Sequence, residues 1–201
     1  MKTLKCVLVL FTFVGLTLIG CSDELQSPVS SADQSIQVPA SLQKNIIRPF
    51  TGHEHPTSVV SPGTVHIANG KQISKGVLFT TRYEATFTDG KPNLLSGNGF
   101  LELNSIFDFN TFEGFTWGKL TVTPDNINAG GVWEISWHGK MFLGPDPTSG
   151  EIVTICPLKW VGHGKGGAVN GMQLHGDDII KYKGPMDWYG DGGQNCYVKE
   201  H

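Results

Sequence analysis

The chain has 201 residues, 39% of them hydrophobic, 10% aromatic and only 16% charged, with 26 glycines. That length fits one domain of ordinary size or two small ones. Scarce alanine beside abundant Gly, Thr and Phe disfavours an all-helical protein, a coiled coil or a doubly wound α/β enzyme, and a formal charge of −3 gives no electrostatic case for nucleic acid.

Lys2 and Lys5 precede an apolar run from Val7 to Ile19, broken only by Thr12, Gly15 and Thr17. The run suits the h-region of a signal peptide and falls short of the roughly 20 residues that cross a bilayer as a helix. It ends in Leu18-Ile19-Gly20-Cys21, which resembles the lipobox of bacterial lipoproteins: an aliphatic residue, a small one at −1 and the modified cysteine. The resemblance implies that residues 1–20 are a signal peptide, that signal peptidase II cuts before Cys21, and that lipid on Cys21 makes the membrane a partner. An ordinary secretory signal or an uncleaved anchor is the competing reading. Ser22-Asp23-Glu24 is similar to the short acidic export signal of some Bacteroidota lipoproteins. It implies an address in the bacterial cell envelope, at the outer membrane, on either its periplasmic face or the cell surface. Loss of Lys2 and Lys5 leaves 13 basic residues against 18 acidic, a formal charge of −5.

Residues 21–46 read as the lipidated cysteine and a flexible linker rich in Ser, Gln, Asp and Pro, too poor in apolar surface to offset its ordering entropy. As a coil it would span about 25–30 Å. The folded domain is expected over residues 47–201. His53-Glu54-His55 reads as a loop ending at Pro56. Short alternating runs then follow, separated by turn clusters.

Gly63–Ala68 is a brief strand, and Asn69-Gly70 is a strong hairpin turn. In the next strand Val77, Phe79, Tyr83, Ala85 and Phe87 share one face against Thr80, Arg82, Glu84 and Thr86. Phe100–Phe109 and Phe115–Thr123 come next. Val132–Phe142 then sets Trp133, Ile135, Trp137 and Met141 against Glu134, Ser136, His138 and Lys140. Glu151–Gly162, Ala168–His175, Ile180–Tyr189 and a short Cys196–Lys199 complete the series. Eight or nine strands with short connections predict an all-β fold: a single antiparallel up-and-down β-barrel of about eight strands, since closure removes exposed edges. A two-sheet β-sandwich is the alternative.

Gly162-His163-Gly164-Lys165-Gly166-Gly167 superficially offers a phosphate-binding glycine pattern, but no helix N-terminus follows to receive a phosphate. The wider rhythm, Gly131-x-Trp133-x-x-x-Trp137-x-Gly139 with Gly162-x-Gly164-x-Gly166-Gly167 and Gly171-Met172, is faintly similar to small secreted barrels of the allene oxide cyclase-like and lipocalin-like type. That resemblance implies a small barrel and carries over no catalytic residue.

With Cys6 in the signal and Cys21 lipidated, Cys156 and Cys196 are expected to pair as a disulfide. His53 and His55 could present two imidazoles to one metal, with His66 the nearest third ligand, but a solvated loop is the simpler reading and no metal or other cofactor is expected. Asp177-Asp178 and Asp187/Asp191 read as turn residues, as does Asp191-Gly192-Gly193-Gln194-Asn195, which lacks the acidic density of a calcium loop.

The tryptophans, Trp117, Trp133, Trp137, Trp160 and Trp188, are the best functional clue. They fit either core packing or an apolar pocket. The expected function is non-catalytic binding of a small apolar molecule or a glycan, with Phe79, Tyr83, Trp133, Trp137 and Met141 as candidate ligand contacts. A barrel-type cyclase or isomerase is an alternative, and would need two titratable side chains at one pocket; the alternation offers Arg82, Glu84, Glu134 and His138. A structural or adhesive envelope protein is the third reading.

Overall fold

The structure is a computed structural model that describes residues 46–192 and 195–200. The expected signal peptide, the lipobox cysteine Cys21 and the linker up to residue 45 lie outside the described residues. Ten strands follow in order: β1 (Ile46–Ser61), β2 (Thr64–Ala68), β3 (Lys71–Phe87), β4 (Gly97–Asp108), β5 (Glu113–Pro124), β6 (Val132–Pro145), β7 (Ile152–Lys165), β8 (Gln173–Gly184), β9 (Asp187–Gly192) and β10 (Tyr197–Glu200).

From β3 to β9 each strand is antiparallel to the next, and β1 pairs with β3 on one side and β9 on the other. The sheet therefore closes as an eight-stranded antiparallel barrel with β2 and β10 added; the sandwich alternative is not what the chain forms. Two staves of the barrel are each shared by two strands. β2 continues the line of β1 along β3, since Ser61 pairs with Leu78 and Thr64 with Lys75. β10 continues the line of β9 between β8 and β1. At the β2–β3 turn Asn69 and Gly70 have φ of 53° and 73°, the left-handed pair that a two-residue hairpin demands.

Alternation explains the wall. In β6 Trp133, Ile135, Trp137 and Met141 are buried while Glu134, Ser136, His138 and Lys140 are exposed. Where a large ring crosses a neighbouring strand, that strand supplies glycine. A β-carbon at Gly118 would lie 1.8 Å from the Glu102 carbonyl and 2.5 Å from the Trp137 ring.

One end of the barrel is plugged. Leu95, Val122, Ala129, Trp133, Val169 and Leu174 have almost no exposure there, and Trp133 Nε1 donates to the Leu94 carbonyl at 2.8 Å. Arg48, where the described chain enters the barrel at this end, ties the strand to the turn after β3 and to the C-terminal strand. Its Nε donates to Asp89 at 2.6 Å and its Nη1 to Glu200 at 3.0 Å. Burial works against the charge, but these hydrogen bonds outweigh it and raise the guanidinium pKa.

Three expectations are corrected. His53-Glu54-His55 is not a loop: it lies in β1, with both histidines on the outer face and Glu54 inside. Asp177-Asp178 is not a turn, because β8 runs unbroken through it and the reversal comes instead around Pro185. Asp191 likewise sits in β9, paired with His53. Cys156 and Cys196, expected to pair, are both buried and do not lie at disulfide distance from each other. Cys196 Sγ lies over Gly176, which pairs with Trp160. Cys156 is four residues from Trp160 on the same strand, roughly 13 Å away at the usual rise, well beyond the ~7 Å Cα separation that a disulfide spans.

Candidate functional site

Above the plug the barrel is hollow. A cavity of about 690 Å³ runs up its axis to the end where Val59, Pro62, Val65, Phe109, Phe112 and Leu143 form the mouth. Its wall is mainly apolar, with Phe79, Leu101, Leu158 and Trp160 among its side chains. Four of the five predicted ligand contacts, Phe79, Tyr83, Trp137 and Met141, line this space. Trp133 does not; it shares a face with Trp137 but stands two steps of alternation deeper, beyond Ile135, in the plug. Of the five tryptophans only Trp117 faces outwards, beside Phe115.

The titratable residues proposed from alternation all point away from the cavity. Arg82 pairs with Asp125, Glu134 with Lys165, and Glu84 and His138 are exposed. In their place the cavity holds two carboxyls that sequence reasoning missed, Glu54 and Asp178, each 6% exposed. They converge on Gly190. Glu54 is its register partner from β1, and a β-carbon on Gly190 would sit 2.6 Å from Asp178 Oδ2. Tyr83, the partner of Glu54 from β3, completes the group. Gly52 makes room for its hydroxyl, which would otherwise lie 2.3 Å from a β-carbon. The missed signal was phase: Phe50, Gly52 and Glu54 share a face, as do Leu174, Asp178, Ile180 and Tyr182.

Burial sets the protonation of this floor. It pushes Glu54 from 4.5 up to about 7, and the Thr81 hydroxyl, near but outside hydrogen-bonding geometry, offsets only part of the shift. Asp178 rises from 3.8 to about 8, first through burial and then through the nearby Glu54 charge. The Ile179 N–H, donating to Asp178 Oδ1 at 2.6 Å, pulls the other way without winning. Tyr83 is held well above the ordinary phenol value by burial first, then by Asp178, Cys196 and Glu54. Below about pH 7 the floor is therefore a largely uncharged, acid-only surface in an apolar shaft. Glu54 Oε1 and the Trp137 indole N–H, both buried in the cavity wall, have no hydrogen-bond partner.

The outer face offers less. His53 Nδ1 lies 3.0 Å from Asp191 Oδ1 and its ring 5.7 Å from that of His55. Among the described residues no three His, Cys, Asp or Glu side chains are grouped to hold a metal. His66, on β2, is more than roughly 30 Å along the β3 edge from His53 at the usual strand rise.

No family model, no curated protein and no solved structure matches the chain.

Proposed function

We propose that the barrel binds one small apolar or amphipathic molecule, without chemistry, in its axial cavity. The observation that carries this reading is the cavity itself: about 690 Å³, apolar in its wall, closed by the Trp133 plug at one end and open at the other. Ligand sites of this kind measure about 300–1,000 Å³, are mostly apolar and carry a few placed polar groups. Titration with N-phenyl-1-naphthylamine, a neutral dye that brightens in apolar surroundings, tests it. Saturable one-to-one binding that disappears in Val77→Trp, which fills the shaft, is the expected result. Binding unchanged in that variant would place the dye elsewhere and defeat the reading.

One observation favours a second reading, acid–base isomerisation or cyclisation inside the shaft. Two carboxyls with pKa values near the physiological range share one apolar pocket, the environment in which catalytic acids and bases are tuned. Loss of turnover of a candidate substrate in both Glu54→Gln and Asp178→Asn, with binding kept, would favour it over simple binding.

The cellular setting is proposed on the sequence alone. Leu18-Ile19-Gly20-Cys21 supports lipidation of Cys21 and anchoring at the outer membrane of a bacterial envelope, with residues 21–46 as tether. Intact mass of the membrane-extracted protein tests it; an unmodified Cys21 would contradict it.

A further inference from the structure

The binding reading leaves the floor of the cavity unexplained. An apolar shaft needs no carboxyl at its base, and burying two is costly unless something compensates them. The titratable groups around the floor are Glu54 from β1, Tyr83 from β3, Cys156 from β7 and Asp178 and Tyr182 from β8, with Cys196 beside Tyr83. Asp177 and Asp191 act on Asp178 through the wall. Every one is an acid. The bases of the neighbouring strands stay outside, His53 on Asp191 and Lys181 on Asp146. No Lys, Arg or His lines the cavity among the described residues.

This one-sided inventory separates ligand classes. A carboxylate or phosphate would add a further acid to a floor with no cation to meet it. A neutral alcohol could satisfy Glu54 Oε1, yet would leave the second carboxyl without purpose. A primary ammonium carries three N–H donors and no acceptor, and the floor presents three oxygen acceptors: the Glu54 carboxyl, Asp178 Oδ2 above Gly190, and the Tyr83 hydroxyl. Trp160 and Trp188, also in the cavity wall, offer aromatic surface to a cation. The unpartnered Glu54 Oε1, in a residue only 6% exposed, is the acceptor waiting for such a donor.

We propose that the ligand is an amphipathic amine, its ammonium group hydrogen-bonded to Glu54, Asp178 and Tyr83 at the floor and its apolar body extended towards Phe109 and Phe112 at the mouth. The inference rests on the binding reading above. When the ammonium enters, one carboxyl ionises to pair with it and the other keeps its proton, so one proton is released for each ligand bound. Glu54 is neutral below about pH 7. Affinity for the amine therefore rises about tenfold per pH unit from pH 5 to 7 and levels off above.

The test is calorimetric titration of the full chain with octylamine, 1-octanol and octanoate at pH 5.5, 6.5 and 7.5, in buffers of different ionisation enthalpy so that protons are counted. Octylamine should bind at least tenfold tighter than 1-octanol at pH 7.5, and release close to one proton at pH 5.5. Glu54→Gln with Asp178→Asn should remove that preference while 1-octanol binding persists, which also shows that the variant is folded. Equal affinity for octylamine and 1-octanol, tighter octanoate, or no proton release in the unmodified chain would overturn the amine and leave the apolar-ligand reading standing. Failure of all three compounds to bind would overturn both.

Discussion

Replacing Glu54 by Gln should flatten the dependence of stability on pH. In an unfolded chain this carboxyl ionises near pH 4.5, whereas in the barrel burial holds its proton to about pH 7. Between those values the native state binds more protons than the unfolded state, so rising pH favours unfolding. The stability associated with the neutral form is complete below pH 4.5 and is lost as pH climbs through about 7. A shift of two to three units, at about 1.4 kcal/mol per unit, makes this loss roughly 3 kcal/mol. Asp178 acts in the same direction up to about pH 8. The carboxyls with lowered pKa values, Asp89, Asp108, Asp125 and Asp146, work oppositely but finish titrating at acid pH, outside the window. Urea unfolding followed by tryptophan fluorescence at pH 5, 6, 7 and 8 reads the effect, since four of the five tryptophans lie inside the barrel. The advantage of Glu54→Gln over the unmodified chain should grow by about 2–3 kcal/mol from pH 5 to 8, the rest of the effect lying below pH 5. Parallel curves for the two proteins would show that Glu54 is not buried as a neutral acid, and the description of the floor would fall with it.

Arg48→Ala should cost about 2–3 kcal/mol in the same assay at pH 7, because it removes charged hydrogen bonds to Asp89 and Glu200 where the chain enters the barrel; a change within 0.5 kcal/mol would mean that these ion pairs do not fasten the closed end. Gly190→Ala, which brings a β-carbon within 2.6 Å of both Asp178 Oδ2 and Ile180 Cδ1, should cost about 1–3 kcal/mol by overpacking, and a neutral result would imply that the Asp178 carboxyl does not lie over Gly190. Digestion without reductant should yield no peptide linking Cys156 to Cys196, as the two stand at different heights of the barrel. Recovery of that linked peptide would contradict the register of β7 against β8.

The closed antiparallel barrel was legible because most of its strands follow a simple rule. In β6, from Trp133 to Met141, every inward position but Gly139 is large and apolar and every outward one is polar, so period two stands out. The same rule hid β1. Its inward residues as far as the floor are Arg48, Phe50, Gly52 and Glu54, a set in which only one looks like core. Proline at positions 49 and 56 then completed the resemblance to a loop, although β1 pairs with β3 over most of its length. β8 was cut in two for the same reason, since its inward positions include Gly176 and Asp178. Depth is the second thing that alternation does not carry. Trp133 and Trp137 share a face, and only the loops that plug one end decide that the first is sealed among Leu95 and Val169 while the second borders the cavity.

These misreadings have a common physical origin, and it coincides with the site. A strand is recognised by apolar residues in phase, so a polar residue on the core face, or a glycine that makes room for one, removes the signal at that point. Glu54 and Asp178 broke the pattern, while Gly52 and Gly190 cleared the space for Tyr83 and Asp178. A barrel built only for stability would have placed Val or Leu at all four positions, and its strands would have been plain to see. Local rules fail at places where a fold accepts a stability cost for another purpose. The two strands least visible in this sequence, β1 and β8, carry the two carboxyls of the cavity, and it is at that floor that the proposed ligand would meet an acid rather than the hydrocarbon and neutral polar groups of the wall.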